Sequence, residues 1–229
     1  MRSNFLTTCT NSYTRKKVAS RSQLYADPKE HGRSMVEMLG VLAIVGVLSV
    51  GAIAGYSKAM MKYKINKFSE AINMLINNSL QLKDKVAYGT DMHKILEKTN
   101  SLPDGIYRSG WLLRDKYFNL PMQIYWNNDG SNTYGGIVYR FAASAEGREI
   151  CRTVVTAAKE NAANLWLVEV GRKSTPDAEW ETYVGHLYGD AYCGGKQKCL
   201  RTLDLNKTDA LCSPCIYGTC SLVTLWKQL

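Results

Sequence analysis

The sequence predicts an α+β protein, in which a long N-terminal helix packs on a small antiparallel sheet and a disulfide-rich C-terminal region follows. Three observations support this class. An uncharged apolar run from Met38 to Ser57 continues without a proline into a one-sided apolar pattern. Short segments rich in β-branched and aromatic residues come later, separated by turn-forming residues. Five of the seven cysteines lie in the last 37 residues of the chain.

The long helix is predicted to run from near Arg33 to about Val86, with Gly89 as its stop. Its first half is apolar on every face, and at about 1.5 Å per residue the uncharged run spans about 30 Å, the thickness of the membrane hydrocarbon. In its second half, apolar residues recur every three or four positions, which predicts an amphipathic helix. These residues are Met61, Ile65, Phe68, Ile72, Leu75 and Leu82. A cleaved secretory signal is not favoured, because its apolar core is normally only about 7 to 15 residues long.

A globular head is predicted after the helix. Thr90 and Asp91 are suited to cap a short helix that ends at Lys98, and Ser144 is suited to cap a helix that ends near Asn161. The predicted strands are Met122 to Trp126 and Gly136 to Phe141, which form a hairpin, then Leu165 to Val170, and a last strand near Tyr183 to Tyr188. The pattern therefore predicts a helix laid on an antiparallel sheet.

The net charge of the chain is +9. The first 32 residues hold six basic and two acidic residues, a local net charge of +4, so the rest of the chain carries +5. Such a mild excess, spread over many residues, does not predict a nucleic-acid partner. The basic residues that precede the apolar run favour a cytoplasmic N-terminus, whereas the lysines between Lys58 and Lys67 oppose it.

Cysteine placement favours export of the head. Cys9 lies near the N-terminus, and the six disulfide candidates are Cys151, Cys193, Cys199, Cys212, Cys215 and Cys220. Glycines and a proline between the last five are typical of a loop-rich disulfide framework in an oxidising compartment. Six cysteines allow fifteen connectivities, so the pairing stays open. A zinc site, or a redox motif at Cys212 and Cys215, is less favoured, since the spacing is irregular and no βαβ pattern surrounds it.

No catalytic residue, metal site or cofactor is predicted. The histidines, His31, His93 and His186, have no acid or nucleophile at an informative spacing. The sequence also has no phosphate-binding glycine loop. We therefore expect a structural or binding protein rather than an enzyme.

Glu37 is the unusual residue of the apolar segment. It lies five positions after Gly32, at the start of a membrane-length helix. A carboxylate at the centre of a membrane helix costs about 2.5 to 3.5 kcal/mol, so an acidic residue here predicts a function and a cationic partner. The alternative is a carboxylate that the helix macrodipole tolerates. Gly51 and Gly55 form a small-xxx-small pair that favours close packing of helices, although glycine is also common in membrane helices.

The segment from Gly32 to Leu39 reads GRSMVEML and runs into an apolar stretch that lasts to Tyr56. This pattern resembles the processing and assembly segment of the type IV pilins and their pseudopilin relatives. In that family a prepilin peptidase cuts after the glycine and methylates the new amino group. The resemblance therefore implies cleavage between Gly32 and Arg33 and N-methylation of Arg33. Removal of 32 of the 229 residues leaves 197, and this length, the long leader and the cysteine-rich end are most like the type IVb branch.

The resemblance also implies an organisation and a function. Residues 1–32 would be the leader, 33–57 the transmembrane and filament-core half of the helix, 58–87 its amphipathic half, and 88–229 the exported head. The chain would be a major or minor subunit of a type IVb-like pilus, held in the bacterial inner membrane as a precursor and then assembled on the cell surface. Its partners would be other pilins, the prepilin peptidase and the inner-membrane assembly machinery.

Within such a filament, the resemblance implies that Glu37 neutralises the N-terminal amine of a neighbouring subunit. Arg33 departs from the family, which usually has an apolar residue at the first mature position, and its side chain can pair with Glu37 one turn away. Two other functions stay open. One is a pseudopilin of a type II secretion machine, and the other is a single-pass membrane protein with a disulfide-rich exported binding or hydrolase domain.

Overall fold

The computed structural model describes residues 35–128, 130, 132–173, 181–182, 186–215 and 218–227. Helices and a mostly antiparallel sheet make up this part of the chain, which confirms the α+β class. Two compact units divide it, one ending at Gly51 and the other beginning at Ala52. The cleavage and methylation sites predicted at Gly32 and Arg33 lie outside the described residues.

Helix α1 spans Met35–Leu82 and confirms the predicted long N-terminal helix. In the unit that begins at Ala52, it buries one apolar face that includes Phe68 and Leu75. The helix ends four residues before Val86, because residues 83–85 form a turn from which Val86 packs into the core. Residues 83–87, predicted as the end of the amphipathic half, are therefore not helical.

The sheet contains nine strands within the described residues, so the small sheet expected from the sequence is not confirmed. The strands are β1 (Ile106–Ser109), β2 (Leu112–Asp115), β3 (Pro121–Asn128), β4 (Thr133–Ala142), β5 (Leu167–Lys173), β6 (Glu181–Thr182), β7 (Leu187–Tyr188), β8 (Lys198–Cys199) and β9 (Thr219–Lys227). Their order is β1-β2-β3-β4-β9-β5-β7-β8, with β6 paired to β5. The pairs are antiparallel except for β7 with β8.

The predicted hairpin is confirmed as β3 and β4, in which Ile124 lies opposite Ile137. The next predicted strand begins at Leu167 rather than Leu165. Of the last predicted strand, the structure places Leu187–Tyr188 in β7, and residues 183–185 lie outside the described part. The terminal strand β9 is new, and it occupies the centre of the sheet between β4 and β5.

Three further helices begin at side-chain caps. Helix α2 spans Met92–Lys98, α3 spans Ala145–Glu160, and α4 spans Leu205–Cys212. The Asp91, Ser144 and Asp204 side chains each accept a hydrogen bond from a backbone N–H in the first turn, at 3.2, 3.0 and 2.8 Å. Such bonds satisfy N–H groups that have no partner within the helix. The predicted caps Asp91 and Ser144 are confirmed.

The hydrophobic core lies between the helices and one face of the sheet. Helix α1 contributes Phe68, whose ring meets the Phe118 ring edge-on with centroids 5.4 Å apart. Helix α3 contributes Val154, and the central strands contribute Tyr139 and Trp226, all of them fully buried. The second half of α1 is therefore an integral part of the head rather than a stalk beside it.

The connection between β2 and β3 is organised by the buried carboxylate of Asp115. Its Oδ1 accepts hydrogen bonds from the backbone N–H groups of Tyr117 and Phe118, both at 2.8 Å, and its Oδ2 accepts one from Leu120 at 2.6 Å. The side chain is fully buried. Three donors are thereby satisfied by one residue, which stabilises a turn that the sequence alone did not predict.

Candidate assembly helix and cysteine cluster

The apolar half of α1 has no buried residue. Between Met35 and Gly51, each large apolar side chain is at least 50% exposed, with Met38 at that lower limit and Met35 at 82%. Within the described residues, α1 is the one helix long and apolar enough to cross a membrane, a property that a membrane anchor and a signal sequence share. A helix that is hydrophobic all round is normally surrounded by lipid or by other protein.

Glu37 lies in the first turn of α1 and is exposed. Among the described residues no hydrogen bond or ion pair reaches its carboxylate, and its predicted partners at residue 33 lie outside the described part. Apolar neighbours flank it on both sides, because Val36 is 75% exposed and Met38 is 50% exposed. The carboxylate therefore stands as an isolated charge on an otherwise apolar surface.

Gly51 and Gly55 offer room for a close neighbour. A Cβ atom added at either position would meet no atom within 4 Å. Contacts within the described part of the chain therefore require neither glycine. The use of this small-xxx-small pair in helix packing stays a prediction, and it needs a second helix to be fulfilled.

Lysines follow the apolar half on the exposed side of the amphipathic half. Lys58 and Lys62 are exposed and line a groove of about 550 Å³ between α1 and Glu149 of α3, whereas Lys67 pairs with Glu70 at 2.8 Å. This pair is solvent-exposed, so it contributes little to stability. The lysines thus place positive charge on α1 where the uncharged run ends.

Four of the six cysteine candidates form disulfides. Cys151 on α3 is bonded to Cys212 on α4, with Cα atoms 5.7 Å apart, and Cys193 is bonded to Cys199, with Cα atoms 5.5 Å apart. The first bridge links positions 61 residues apart, and the second closes a short loop. The predicted presence of disulfides in the C-terminal region is therefore confirmed.

An ion-pair cluster that was not predicted from the sequence lies beside the Cys151–Cys212 bridge. Arg148 donates to both carboxylate oxygens of Asp209, at 3.1 and 2.6 Å, and Arg152 pairs with Asp209 and with Glu149. The two arginines are four residues apart on α3, so both reach the same face of α4. The sequence signal for this cluster is the four-residue spacing of the two arginines, which lie on either side of the predicted disulfide residue Cys151.

His93 serves the fold. His93 is buried, and its Nε2 accepts a hydrogen bond from the Ile124 backbone N–H at 2.9 Å, while its Nδ1 lies 3.3 Å from Asp91 Oδ1. Burial is the largest effect and lowers the pKa of His93, although Asp91 opposes the shift. The Nε2 atom of His186 lies 2.5 Å from Oε1 of Glu169 on β5.

The candidate site consists of one exposed apolar helix surface and the carboxylate on it. An exposed apolar helix with one carboxylate continues into a head that has its own core and disulfides. The surface of the helix can pack against lipid or other helices, and the carboxylate can select a cation among them. No protein-family model matches this chain, and no curated protein matches it.

Proposed function

We propose that this chain is a structural subunit of a type IVb-like pilus, anchored in the inner membrane by the apolar half of α1 and polymerised through it. The observation that carries the proposal is that every large apolar side chain between Met35 and Gly51 is at least half exposed. Exposed apolar area costs about 25 cal/mol per Å² in water, so the surface needs lipid or other protein around it. A filament core built from copies of the same helix supplies such surroundings after the membrane.

Glu37 gives the assembly its register in this proposal. Moving the helix from lipid into a bundle of helices changes little apolar exposure, so packing and polar contacts decide the stagger between subunits. A buried carboxylate without a partner is costly, whereas one that meets a cation is tolerated. The amine created by cleavage after Gly32 is such a cation on a neighbouring subunit. Arg33 of the same subunit competes with it one turn away.

The construction of the head supports the same use. Phe68, Ile72 and Leu75 are fully buried, so the second half of α1 is part of the core of the head. The Cys151–Cys212 bridge fits a domain that works outside the reducing cytoplasm.

The first test is the N-terminus of the protein isolated from cells that express a prepilin peptidase. We expect intact-mass measurement to give a chain that begins at Arg33 and carries one added methyl group. A protein that keeps its 32-residue leader would contradict the proposal and favour the single-pass membrane protein with an exported binding or hydrolase domain. Filaments that contain the chain but never reach the cell surface would favour a pseudopilin.

The second test is Glu37→Ala in the full chain. We expect membrane insertion to be unchanged and sheared filament yield to fall at least tenfold, because the charge pair that sets the stagger is gone. Glu70→Ala is the matched control, since Glu70 is an exposed carboxylate on the same helix that pairs with Lys67. Normal filament yield from Glu37→Ala, or an equal loss from Glu70→Ala, would contradict the role of Glu37.

A further inference from the structure

We propose that Cys215 and Cys220 form a third disulfide in the exported protein and bind the end of α4 covalently to the central strand β9. Both residues carry free thiols in the structure, and both are buried, with exposures of 1% and 0%. The two thiols lie close enough for each to shift the pKa of the other. The inference rests on the proposed function in one respect only, the export of the head to an oxidising compartment.

The backbone holds the two cysteines together. Cys215 lies three residues after the end of α4, and its N–H donates to the Cys212 carbonyl at 3.1 Å. Cys220 lies at the start of β9, opposite Phe141 of β4 and Arg172 of β5. Between them Gly218 adopts a φ of +69°, a conformation that favours glycine, and its carbonyl accepts a hydrogen bond from Ala143 at 2.9 Å. The described ends of this connection, Cys215 and Gly218, are therefore each held by a backbone hydrogen bond.

The surroundings favour reaction of one of the two thiols. The neighbouring Cys215 thiol is the main cause that lowers the pKa of Cys220, although burial opposes the shift. The positive charge of Arg172 also lowers this pKa. Because the thiolate is the nucleophile in thiol–disulfide exchange, Cys220 is the sulfur that attacks first.

The oxidant is the disulfide of a thiol–disulfide oxidase in the exporting compartment. Since both thiols are buried in the folded head, the oxidase meets them while the head folds. The Cys220 thiolate attacks one sulfur of the oxidase disulfide, which gives a mixed disulfide and releases the other oxidase sulfur as a thiolate. Cys215 then loses its proton and attacks the Cys220 sulfur, and the second oxidase sulfur leaves. In total two S–H bonds are lost, one S–S bond forms, and two electrons and two protons pass to the oxidase, which becomes a dithiol.

The third bridge would complete a covalent path across the core. Cys151 on α3 is already bonded to Cys212 at the end of α4, and Cys215 is three residues further along the chain. A bond from Cys215 to Cys220 would extend this path from α3 through α4 to β9. Since β9 lies between β4 and β5, the helices would be attached to the middle of the sheet rather than to its edge.

The test is a count of free thiols in the full chain isolated from membranes. The protein is denatured without reductant in N-ethylmaleimide at acid pH, and its intact mass is measured. We expect no adduct on the processed chain. Two adducts that map to Cys215 and Cys220 would overturn this inference and leave the pilin proposal standing. A single adduct at Cys9 would show an unprocessed leader with all three bridges formed, which contradicts the pilin proposal and supports this inference.

Peptide mapping identifies the pairing directly. Tyr217 is the one aromatic residue between the two cysteines, so chymotrypsin can separate them. We expect the two fragments to stay linked until a reductant is added. Adducts on every cysteine would show a head that stayed in a reducing compartment and would overturn both proposals. Cys193 and Cys199 provide the internal control, because trypsin can cut at Lys196 and Lys198 between them and the fragments are held by an observed bridge.

Serine variants give a second readout. If the bridge exists, Cys215→Ser and Cys220→Ser should each raise the adduct count from zero to one, and the double variant should return it to zero. The free thiol left in either single variant also makes disulfide-linked dimers possible on non-reducing gels. An unbonded pair would instead give counts of two, one and zero for the wild type, the single variants and the double variant, and would overturn the inference.

Discussion

The two parts of α1 differ in what surrounds them. Between Met35 and Gly51 the large apolar side chains are at least half exposed, whereas Phe68, Ile72 and Leu75 are completely buried. The second part has a one-sided apolar pattern that its own head can cover, and the first part is apolar on every face. A single head cannot cover every face of a helix. The free energy of unfolding measured on a single chain should therefore respond to mutations in the second part of α1 and hardly at all to mutations in the first.

The largest expected effect separates the two parts by mutation. Phe68→Ala should lower the free energy of unfolding of the head by about 3 to 5 kcal/mol, because it leaves a cavity in a fully buried site. Leu48→Ala, at a position that is 66% exposed, should change it by less than about 0.5 kcal/mol. Urea unfolding of the full chain in detergent, followed by tryptophan fluorescence, measures both. Similar losses from the two variants would remove the distinction.

The buried carboxylate of Asp115 tests whether the head also satisfies its own buried backbone N–H groups. Asp115→Ala leaves three backbone N–H groups without their carboxylate and should cost about 3 kcal/mol. Asp115→Asn should cost less, because one side-chain oxygen can still accept the bonds from Tyr117 and Phe118. Asp104→Ala is the control, as Asp104 is an exposed carboxylate paired with Lys116. Equal losses from the Ala and Asn variants would contradict this assignment of the hydrogen bonds.

Sequence periodicity predicted the elements whose patterns are long and local. Helix α1 was predicted because its apolar residues repeat over many turns, and α3 because Ser144 caps it. Strands β3 and β4 were predicted because an Asn-rich connection joins them. Strand β9 was missed. It is buried on both faces at the centre of the sheet, so TCSLVTLWK lacks the alternation that identifies a half-exposed strand.

The candidate site was predictable only in its local part. The residues around Glu37 form one contiguous motif, so they could be found without a structure. The pairing of Cys151 with Cys212 spans 61 residues, and no local rule chooses it among the fifteen connectivities. The convergence of Arg148 and Arg152 on Asp209 depends in the same way on how α3 and α4 pack. Long-range contacts of this kind follow from the tertiary fold.

The weakest of the predicted effects is the loss of unfolding free energy in acid, which should arise from groups of the head alone. The pKa of His93 is lowered by burial in the folded protein, from an unfolded value of about 6.5. The neutral ring is therefore favoured by folding, so its contribution to stability is complete above about pH 6.5 and is lost as the pH falls through the lower folded value. Protonation at Nε2 would also remove the acceptor of the Ile124 N–H, a bond that contributes about 1 kcal/mol.

The measurement is the free energy of unfolding at about pH 7.5 and about pH 5, on either side of the unfolded histidine pKa. His93→Gln should reduce the acid-induced loss, because glutamine does not titrate and its amide oxygen can accept the Ile124 N–H. His186→Gln is the matched control and should keep the loss, since His186 is an exposed histidine that pairs with Glu169. If His93→Gln and the wild type lose the same stability in acid, the sensitivity must come from other groups of the head.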